Sequence, residues 1–410
     1  PVTNFRQYLA LEDRLFKQLD ELVYSQVPVG PDNAINRYSR GSLSDPARWP
    51  VNWNRSFELG QELPAAGVVL LHGLSDSPYS LRALGQSMHR RGAMVLGLRI
   101  PGHGTAPSSL VETRWQDMAA AVRLAVRHVR EVVGDKPVYL VGYSNGGALG
   151  VEYALAALDE ASLPRVSGVI LLSPEIGLSP VAALAVWQAR LGHLLRLEKL
   201  AWNVLVPEYD PYKYGSFAVN AGDLAYRITA HIQKQLGRLH SAGKLSELPP
   251  ILAFQSSVDA TVTASALVAH LFDRLPAGDH ELVLFDINRL AGVSLMLRQD
   301  PRTVFGPLLE KDDRKFDLTI VTNESAESNR VVARSAQAGQ DSTANTVALS
   351  EWPPGIYSLS HVALPFPPTD PVYGGPAAQA SPGIQLGNLA PRGERGVLQI
   401  SGTDALRLRW

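Results

Sequence analysis

From Gly67 onward, short apolar runs alternate with longer stretches of helical periodicity. The apolar runs are Val68–Leu71, Met94–Leu98 and Val138–Val141, and the helical stretches between them are Ser77–Arg91 and Glu112–Val133. Strands joined by such helices run parallel, because each connection crosses the sheet before the next strand begins. The pattern predicts an α/β domain built on a doubly wound, mostly parallel sheet.

The alternation continues to residue 285 with two interruptions. It predicts helices at Asn145–Leu158 and Thr261–Leu275, and strands at Val169–Ser173, Ile251–Gln255 and Glu281–Phe285. Residues 175–250 and 287–360 do not follow the alternation. We interpret both segments as insertions. The second is predicted to contain an extra strand at Asp317–Val321 and a polar stretch near Glu324–Thr346.

The core therefore comprises residues 65–174 and 251–286. Residues 1–64 precede it as an N-terminal helix and a surface segment packed on the core, and residues 361–410 follow as a loop that contains His361 and an elaborated C-terminal extension. Within the extension, Gly396–Trp410 is a candidate for a late strand.

Two helices carry further detail. An amphipathic helix is predicted within residues 1–27, with an apolar face formed by Phe5, Leu9, Phe16, Leu19 and Val23. At the start of the Glu112–Val133 helix, Thr113 and Gln116 are spaced for a capping box.

The sharpest local motif is Gly142-Tyr143-Ser144-Asn145-Gly146, which follows a predicted strand and precedes a predicted helix. This placement is that of a nucleophile elbow, a tight turn that holds a serine Oγ clear of the sheet. Gly142 and Gly146 are needed because the turn is tight and the serine backbone is strained. We therefore predict that Ser144 is a nucleophile.

A serine nucleophile needs backbone donors for the oxyanion that forms on its substrate. His72, Gly73 and Leu74 follow the strand Val68–Leu71, at the same edge of the sheet as the elbow. Leu74 N–H and Asn145 N–H, the latter at the positive end of a helix, are the predicted pair. His72 and Gly73 support the turn that carries Leu74.

Three motifs occur in a fixed order along the chain: a strand followed by His72-Gly73, then Pro101-Gly102-His103-Gly104, then the elbow. Together they resemble the α/β-hydrolase superfamily, and in particular its carboxylesterase, monoglyceride-lipase and lysophospholipase-like branch, over roughly residues 67–285. The resemblance implies the α/β-hydrolase fold, a Ser-His-Asp triad and an acyl-enzyme intermediate. Such chemistry needs no metal or other cofactor. His103 is interpreted as a structural turn histidine.

The resemblance places the catalytic acid at Asp259, which follows the strand Ile251–Gln255 in the setting Asp259-Ala260-Thr261-Val262. The alternative is that Asp259 caps the helix predicted from Thr261, and the two roles are compatible.

The histidine departs from the family pattern, because residues 287–297, which follow the last core strand, contain none. The order Ser, Asp, His leaves His270, His280 and His361 after Asp259. His270 lies within a helical pattern and His280 precedes a strand, so that His361 is the predicted base. The alternative is that a separate small domain begins after residue 286 and that His361 is a surface residue.

Residues 175–250 lie where this family inserts a cap or lid, and they are rich in large apolar side chains. These side chains favour an apolar acyl or aryl ester as substrate, although their helical spacing equally fits plain packing. A serine aminopeptidase or amidase is the second hypothesis. It would require an acidic cluster for the substrate amine, which Glu175, Glu198 and Glu208 do not obviously form. A non-hydrolytic binding protein on the same fold is the third.

Composition excludes several kinds of nucleophile, metal site and partner. The 410 residues contain no cysteine, which excludes thiol nucleophiles, disulfides and thiolate metal sites. A net charge of −1 argues against nucleic acid as a partner. The expected partner is a small-molecule ester, a lipid surface stays open as a second, and the oligomeric state is not indicated. The lack of cysteine and the start at Pro1 slightly favour an exported protein, periplasmic or membrane-anchored with its leader trimmed, over a cytoplasmic one.

Overall fold

The computed structural model describes residues 2–177, 201–259, 261–311, 313–340, 345–353, 356–359, 361, 366–374 and 381–387. Contacts divide these residues into two units. The first contains the described residues of 1–167, 178–235 and 366–388, and the second contains those of 168–177 and 236–365. The candidate late strand at Gly396–Trp410 lies outside the described residues.

Helices and strands alternate along most of the described chain. The helices are α1 Phe5–Leu19, α2 Tyr79–Arg90, α3 Ser109–Glu112, α4 Trp115–Val133, α5 Asn145–Ala156, α6 Val219–Ser241, α7 Ala264–His270 and α8 Arg302–Leu309. The strands are β1 Phe57–Leu59, β2 Ala66–Leu71, β3 Ala93–Leu98, β4 Val138–Tyr143, β5 Gly168–Leu172, β6 Trp202–Val204, β7 Phe217–Ala218, β8 Ile251–Ser256, β9 Glu281–Phe285, β10 Asp317–Asn323, β11 Arg330–Ala336 and β12 Asn345–Glu351. None of the helices in the described part is both long and apolar enough to cross a membrane.

In the first unit the strands follow the order β1-β3-β2-β4. β2 runs parallel to both β3 and β4, and β1 pairs antiparallel with β3. Val69 and Leu71 are fully buried, as expected for strands that are covered on both faces. The predicted alternation of parallel strands and crossover helices is confirmed here. Every residue of α5 is buried, so the helix that follows the elbow packs inside the unit.

The face of α1 differs from the prediction. Phe5, Phe16 and Leu19 are buried, but Leu9 is 37% exposed, so the prediction that Leu9 packs inward is wrong. The buried stripe passes through Glu12 instead, whose carboxylate pairs with Arg99 Nε at 3.0 Å and accepts from Ser56. A hydrophobicity pattern does not reveal a buried charged residue such as Glu12, because its burial depends on an ion-pair partner elsewhere in the chain.

The helix predicted over Glu112–Val133 is broken into α3 and α4. Thr113 Oγ1 donates to Ser109 O at 2.6 Å, and Thr113 itself is extended, which ends α3. α4 begins after Arg114, whose N–H donates to Asp117 Oδ2 at 3.3 Å. The predicted box at Thr113 and Gln116 is therefore wrong, because the Thr113 hydroxyl bonds to Ser109 in α3 and Arg114 with Asp117 caps α4 instead.

In the second unit the order is β5-β8-β9-β10-β11-β12. The first four strands are parallel, and β10, β11 and β12 pair antiparallel. The extra strand predicted at Asp317–Val321 is confirmed as β10. β11 and the start of β12 lie within the polar stretch near Glu324–Thr346, where the sequence pattern predicts no strand. The helix predicted over Thr261–Leu275 is limited to α7 and a short 3-10 turn at Phe272–Arg274.

Candidate active site

Ser144 joins β4 to α5 with φ 52° and ψ −118°. A positive φ costs a non-glycine residue on the order of 1–3 kcal/mol, so the surroundings must enforce it. The two flanking glycines do so: a Cβ on Gly146 would lie 2.0 Å from Leu71 O, and one on Gly142 would lie 2.4 Å from Gly146 O. This is the strained strand-to-helix turn that the motif predicts, with Ser144 at the N-terminus of α5.

Leu74 lies in the turn after β2, beside the elbow. Asp76 N–H closes this turn on Gly73 O at 3.2 Å, and Ser75 has φ 66°. A Cβ on Gly73 would lie 3.0 Å from the Tyr143 ring, so the turn packs directly on the last residue of β4. Leu74 N–H makes no hydrogen bond to any described residue. Asn145 N–H belongs to the first turn of α5, where helical N–H groups lack intrahelical acceptors.

His72 fixes this turn from within the core. It is 1% exposed, its Nε2 accepts from Ile100 N–H at 3.1 Å, and its Nδ1 lies 2.9 Å from Gly73 O. Because Nε2 accepts, Nδ1 carries the proton and donates to Gly73 O. Burial, with His103 nearby, lowers the pKa of His72 well below 6.5. His72 is therefore uncharged, and its hydrogen bonds link the ends of β2 and β3.

His103 packs beside His72. Its ring is fully buried, at 4.9 Å from the His72 ring and 6.3 Å from the Tyr214 ring, and Nδ1 lies 3.1 Å from Pro101 O. Burial lowers the pKa of His103 to about 4, so the ring is neutral near pH 7. These contacts fit the structural turn histidine of the sequence analysis.

Residues 366–374 and 381–387 form a C-terminal strap, which packs on the helix that follows the Leu74 turn. Asp370 accepts from Tyr79 Oη and Arg82 Nη1, each at 2.9 Å, and its side chain is fully buried. Tyr373 Oη donates to Asp210 Oδ1 at 2.6 Å. The strap thereby ties α2 to the described part of the cap, within the first unit.

In the second unit, the structure brings Asp259 and His361 together. His361 Nδ1 lies 3.0 Å from Asp259 Oδ2, across 102 residues of sequence. Asp259 Oδ1 accepts from the N–H groups of Thr261 and Val262 at 2.8 and 3.0 Å. The helix α7, however, takes Thr263 as its N-cap. The alternative role of Asp259 as helix cap is therefore corrected: its carboxylate braces the turn before the cap.

Two residues that belong to no sequence motif hold this pair. Gln255 Nε2 donates to Asp259 Oδ2 at 3.0 Å and to Val262 O at 2.9 Å. Ser256 Oγ donates to Leu359 O, which fixes the chain two residues before His361. The one local signal for both is a pair of polar residues at the end of an apolar strand.

Glu175 also lies near His361 in the second unit, three residues after β5. Its side chain is partly buried, and its Oε2 atom is shielded from solvent. Burial raises the pKa of Glu175 to about 7, against the opposing effect of His361. Glu175 thus changes its charge near neutral pH in the vicinity of His361.

The other two histidines after Asp259 have other surroundings. His280 Nδ1 accepts from Ile251 N–H at 3.2 Å, at the first residue of β8, and burial lowers the pKa of His280. His270 is the last residue of α7, and its ring packs on Gly177. Among the described residues, no group of three or more His, Asp or Glu side chains is arranged to hold a metal ion.

A family model described as serine aminopeptidase, S33, matches residues 62–288, which is more than half of the chain. The chain belongs to this family. The resemblance to the α/β-hydrolase superfamily, in its lipase and esterase-like branch, is thereby confirmed. The two units carry the strands of an α/β-hydrolase fold. The S33 match ends at residue 288, so the C-terminal strands of the second unit and His361 lie beyond it.

Individual relatives of this S33-family chain are more distant. It is 28% identical over 145 residues to phospholipase YtpA of Bacillus subtilis, which is 35% of this chain and 50% of that protein. It is 26% identical over 117 residues to a thermostable monoacylglycerol lipase of Bacillus sp., which is 28% of this chain and 44% of that protein. The chain thus spans half or less of the length of these relatives. A solved monoacylglycerol lipase of Paleococcus ferrophilus aligns over 56% of this chain and 87% of its own, with 21% identity and a TM-score of 0.43.

Proposed function

We propose that this protein is a serine hydrolase that cleaves carboxylic esters of apolar acyl or aryl type, with Ser144 as nucleophile, His361 as base and Asp259 as acid. The observation that carries the proposal is the 3.0 Å contact between His361 Nδ1 and Asp259 Oδ2. A carboxylate only accepts, so His361 donates from Nδ1. That tautomer has its lone pair on Nε2, which is the atom that a serine nucleophile needs as its base.

In the proposed reaction, Ser144 Oγ attacks the ester carbonyl carbon while its proton passes to His361 Nε2. The carbonyl electron pair moves onto oxygen, and the N–H groups of Leu74 and Asn145 donate to that oxyanion. Asp259 holds the imidazolium that forms. Collapse of the intermediate expels the alcohol, which takes the proton from His361. Water then attacks the acyl group on Ser144, with His361 again as base, and releases the carboxylic acid.

An apolar substrate is supported by the described part of the cap. Val204, Leu205, Val206 and Tyr209 are exposed there, and Leu205 is 68% exposed. An apolar acyl chain or ring would cover such side chains at a gain of roughly 25 cal/mol per Å² of buried surface. Two relatives that match this chain are named as a phospholipase and a monoacylglycerol lipase, which agrees with an ester of this class. Within this proposal the cap contributes to the substrate pocket.

The first experiment measures fluorophosphonate labelling and the hydrolysis of p-nitrophenyl esters over a range of acyl lengths. We expect Ser144→Ala to abolish both, and His361→Ala and Asp259→Asn to lower kcat/KM by at least about 10³-fold. The matched controls are Ser241→Ala and His240→Gln, at exposed positions of α6 and beyond any proposed role. Labelling that survives Ser144→Ala, or turnover that survives His361→Ala, would overturn the assignment.

The family description favours one second candidate, a serine aminopeptidase. The same samples are therefore assayed with amino-acid p-nitroanilides. Turnover of an anilide that exceeds turnover of every ester would replace the esterase proposal while keeping the triad. A chain that neither labels nor turns over either class would instead be a binding protein on this fold.

A further inference from the structure

The second unit contains a cavity of about 120 Å³ at the carboxyl ends of β9 and β10. Asp286 follows β9 directly, and Thr322 and Asn323 end β10. Ligands of α/β proteins bind in crevices outside the carboxyl ends of parallel strands. The volume is several times the roughly 15 Å³ that one water molecule needs. The cavity therefore has both the position and the room for a small ligand.

The acidic groups at this cavity already have cationic or hydroxyl partners. Asp286 accepts from Arg289 Nη2 and Nε at 2.7 and 2.8 Å and from Thr322 Oγ1 at 2.8 Å. Arg289 also pairs with Asp300 at 2.9 Å. Glu324, on the rim, pairs with Arg330 at 3.5 Å. These contacts neutralise every carboxylate that lines the cavity.

Two further arginines line the same cavity and form no ion pair with any described residue. Arg334 lies across from Ile320 in the β10–β11 register, on the face that also carries Thr322, and its Nη2 donates to the backbone oxygen of Glu324 at 3.0 Å. Arg302 begins α8, where the helix dipole adds positive potential. The cavity thus presents two guanidinium groups that form no direct ion pair with a described carboxylate, with Asp300 near Arg302 and already bound to Arg289.

The base of the cavity is rigid. Asn323 is 3% exposed, and its Oδ1 accepts from Arg289 N–H at 2.7 Å and from Trp352 Nε1 at 3.2 Å. A site that is ordered before its ligand arrives loses little conformational freedom on binding. Guanidinium groups recognise carboxylates and phosphates through paired, charge-assisted hydrogen bonds.

We propose that this cavity binds a small molecule through an oxyanion, either a phosphate or a carboxylate group, held by Arg302 and Arg334. The site lies entirely within the second unit and is distinct in its residues from the proposed triad. The proposal does not depend on the proposed hydrolase activity, because binding is measured without turnover.

The test is isothermal titration of the full chain with inorganic phosphate and, separately, with acetate, at 150 mM NaCl. We expect saturable binding of at least one of them, which Arg302→Gln and Arg334→Gln each weaken by about tenfold or more. Phosphate binding without acetate binding assigns the site to phosphorylated ligands, and the reverse assigns it to carboxylates. Lys315→Gln is the matched control, since it removes one exposed positive charge of the same unit outside the cavity.

Two outcomes would overturn the proposal. One is the absence of saturable heat with either anion for the folded wild-type chain. The other is binding that both arginine variants retain at wild-type strength, or that Lys315→Gln weakens equally, since the attraction would then be general charge. Both arginines have their guanidinium groups outside the buried Asp286–Arg289 pair, so the variants are expected to unfold at the wild-type temperature. That measurement separates a lost site from a lost fold.

Discussion

At the elbow, the turn can form because Gly146 carries no side chain. A Cβ at Gly146 would come within 2.0 Å of Leu71 O, which is backbone and cannot move aside. We expect Gly146→Ala to lower the free energy of unfolding by several kcal/mol and to abolish labelling of Ser144. A Cβ at Gly222, in α6, would meet nothing within 4 Å, so Gly222→Ala should instead stabilise by up to about 1 kcal/mol.

Urea unfolding of the two alanine variants measures this contrast. Both substitutions add one methyl group to a helical glycine, so helix propensity favours both equally. If the Gly146→Ala protein is as stable as Gly222→Ala, α5 can shift away from Leu71 O with little loss in the free energy of unfolding, and the prediction is wrong.

The charge on Glu175 links the proposed base to pH. Burial raises the pKa of Glu175 to about 7, so the group is an uncharged acid below that pH and a carboxylate near His361 above it. Under the proposed mechanism, Glu175→Gln removes a negative charge that favours uptake of a proton in the site. The acid limb of kcat/KM should move to lower pH by a few tenths of a unit to about one unit. Two other titratable groups lie nearby and are unchanged in this variant. Asp259 contacts His361, and the His270 ring packs on Gly177, two residues after Glu175.

The same residue makes a separate prediction for stability. Its folded pKa lies above the unfolded value near 4.5, so the stability present below pH 4.5 is lost as pH rises through about 7. Glu175→Gln should therefore lose less stability than wild type between pH 5 and 8. Glu310→Gln, at an exposed position of the same unit, is the control for both profiles. Profiles of Glu175→Gln that coincide with those of Glu310→Gln would contradict both predictions.

At the scale of elements, the C-terminal strap depends on one buried carboxylate. Asp370→Ala would leave Arg82, whose side chain is 11% exposed, without its carboxylate, and would remove the acceptor of Tyr79 Oη. We expect a loss of about 3–5 kcal/mol in the free energy of unfolding, as for other broken buried pairs. Asp370→Asn should lose less, because an amide oxygen still accepts from Tyr79 and from the Val372 and Tyr373 N–H groups.

Urea denaturation and limited proteolysis of residues 366–387 measure this effect. Asp279→Ala, an exposed aspartate, serves as the control. If Asp370→Ala matches that control, the strap is held by the apolar cluster around Trp49 and Tyr212 instead of by charge.

The strands that the sequence predicted are those whose burial shows in their composition. β2, β3 and β4 are apolar throughout, and so the pattern found each to within two residues. β12 has every residue exposed and β11 carries two arginines, so neither leaves a hydrophobic signal. β11 is held by pairing with β10, and β12 is held by pairing with β11, and backbone pairing leaves no periodicity in the sequence.

At the scale of the whole molecule, the sequence indicates the residues of the proposed triad but not the residues that hold them in place. The sequence indicates Ser144 because its motif and its strand-to-helix setting are local. The order of the motifs leaves three histidines as candidates for the base, and the structure places His361 against Asp259. The sequence does not indicate Gln255 or Ser256, since the Ser256 contact to Leu359 spans 103 residues and a polar residue at a strand end is common.

The buried histidines of the first unit contribute to the loss of stability of the whole chain in acid. Burial lowers the pKa of His103 to about 4 and holds that of His72 well below its usual value, so both are neutral when folded. Unfolded, each titrates near 6.5, so stability is fully present above that pH and is lost as pH falls toward 4. At about 1.4 kcal/mol per unit, His103 contributes on the order of 3 kcal/mol to this loss.

Urea unfolding at pH 8, 6.5 and 5 of wild type, His103→Gln and His240→Gln tests this acid response. His103→Gln should be less stable at pH 8, because the ring fills a closed site beside His72 and Tyr214, but its stability should fall less steeply between pH 6.5 and 5. His240 is exposed, so its variant should follow the wild-type slope. An unchanged slope in His103→Gln would mean that the acid loss arises from other groups, since a glutamine cannot bind the proton that the unfolded histidine takes up.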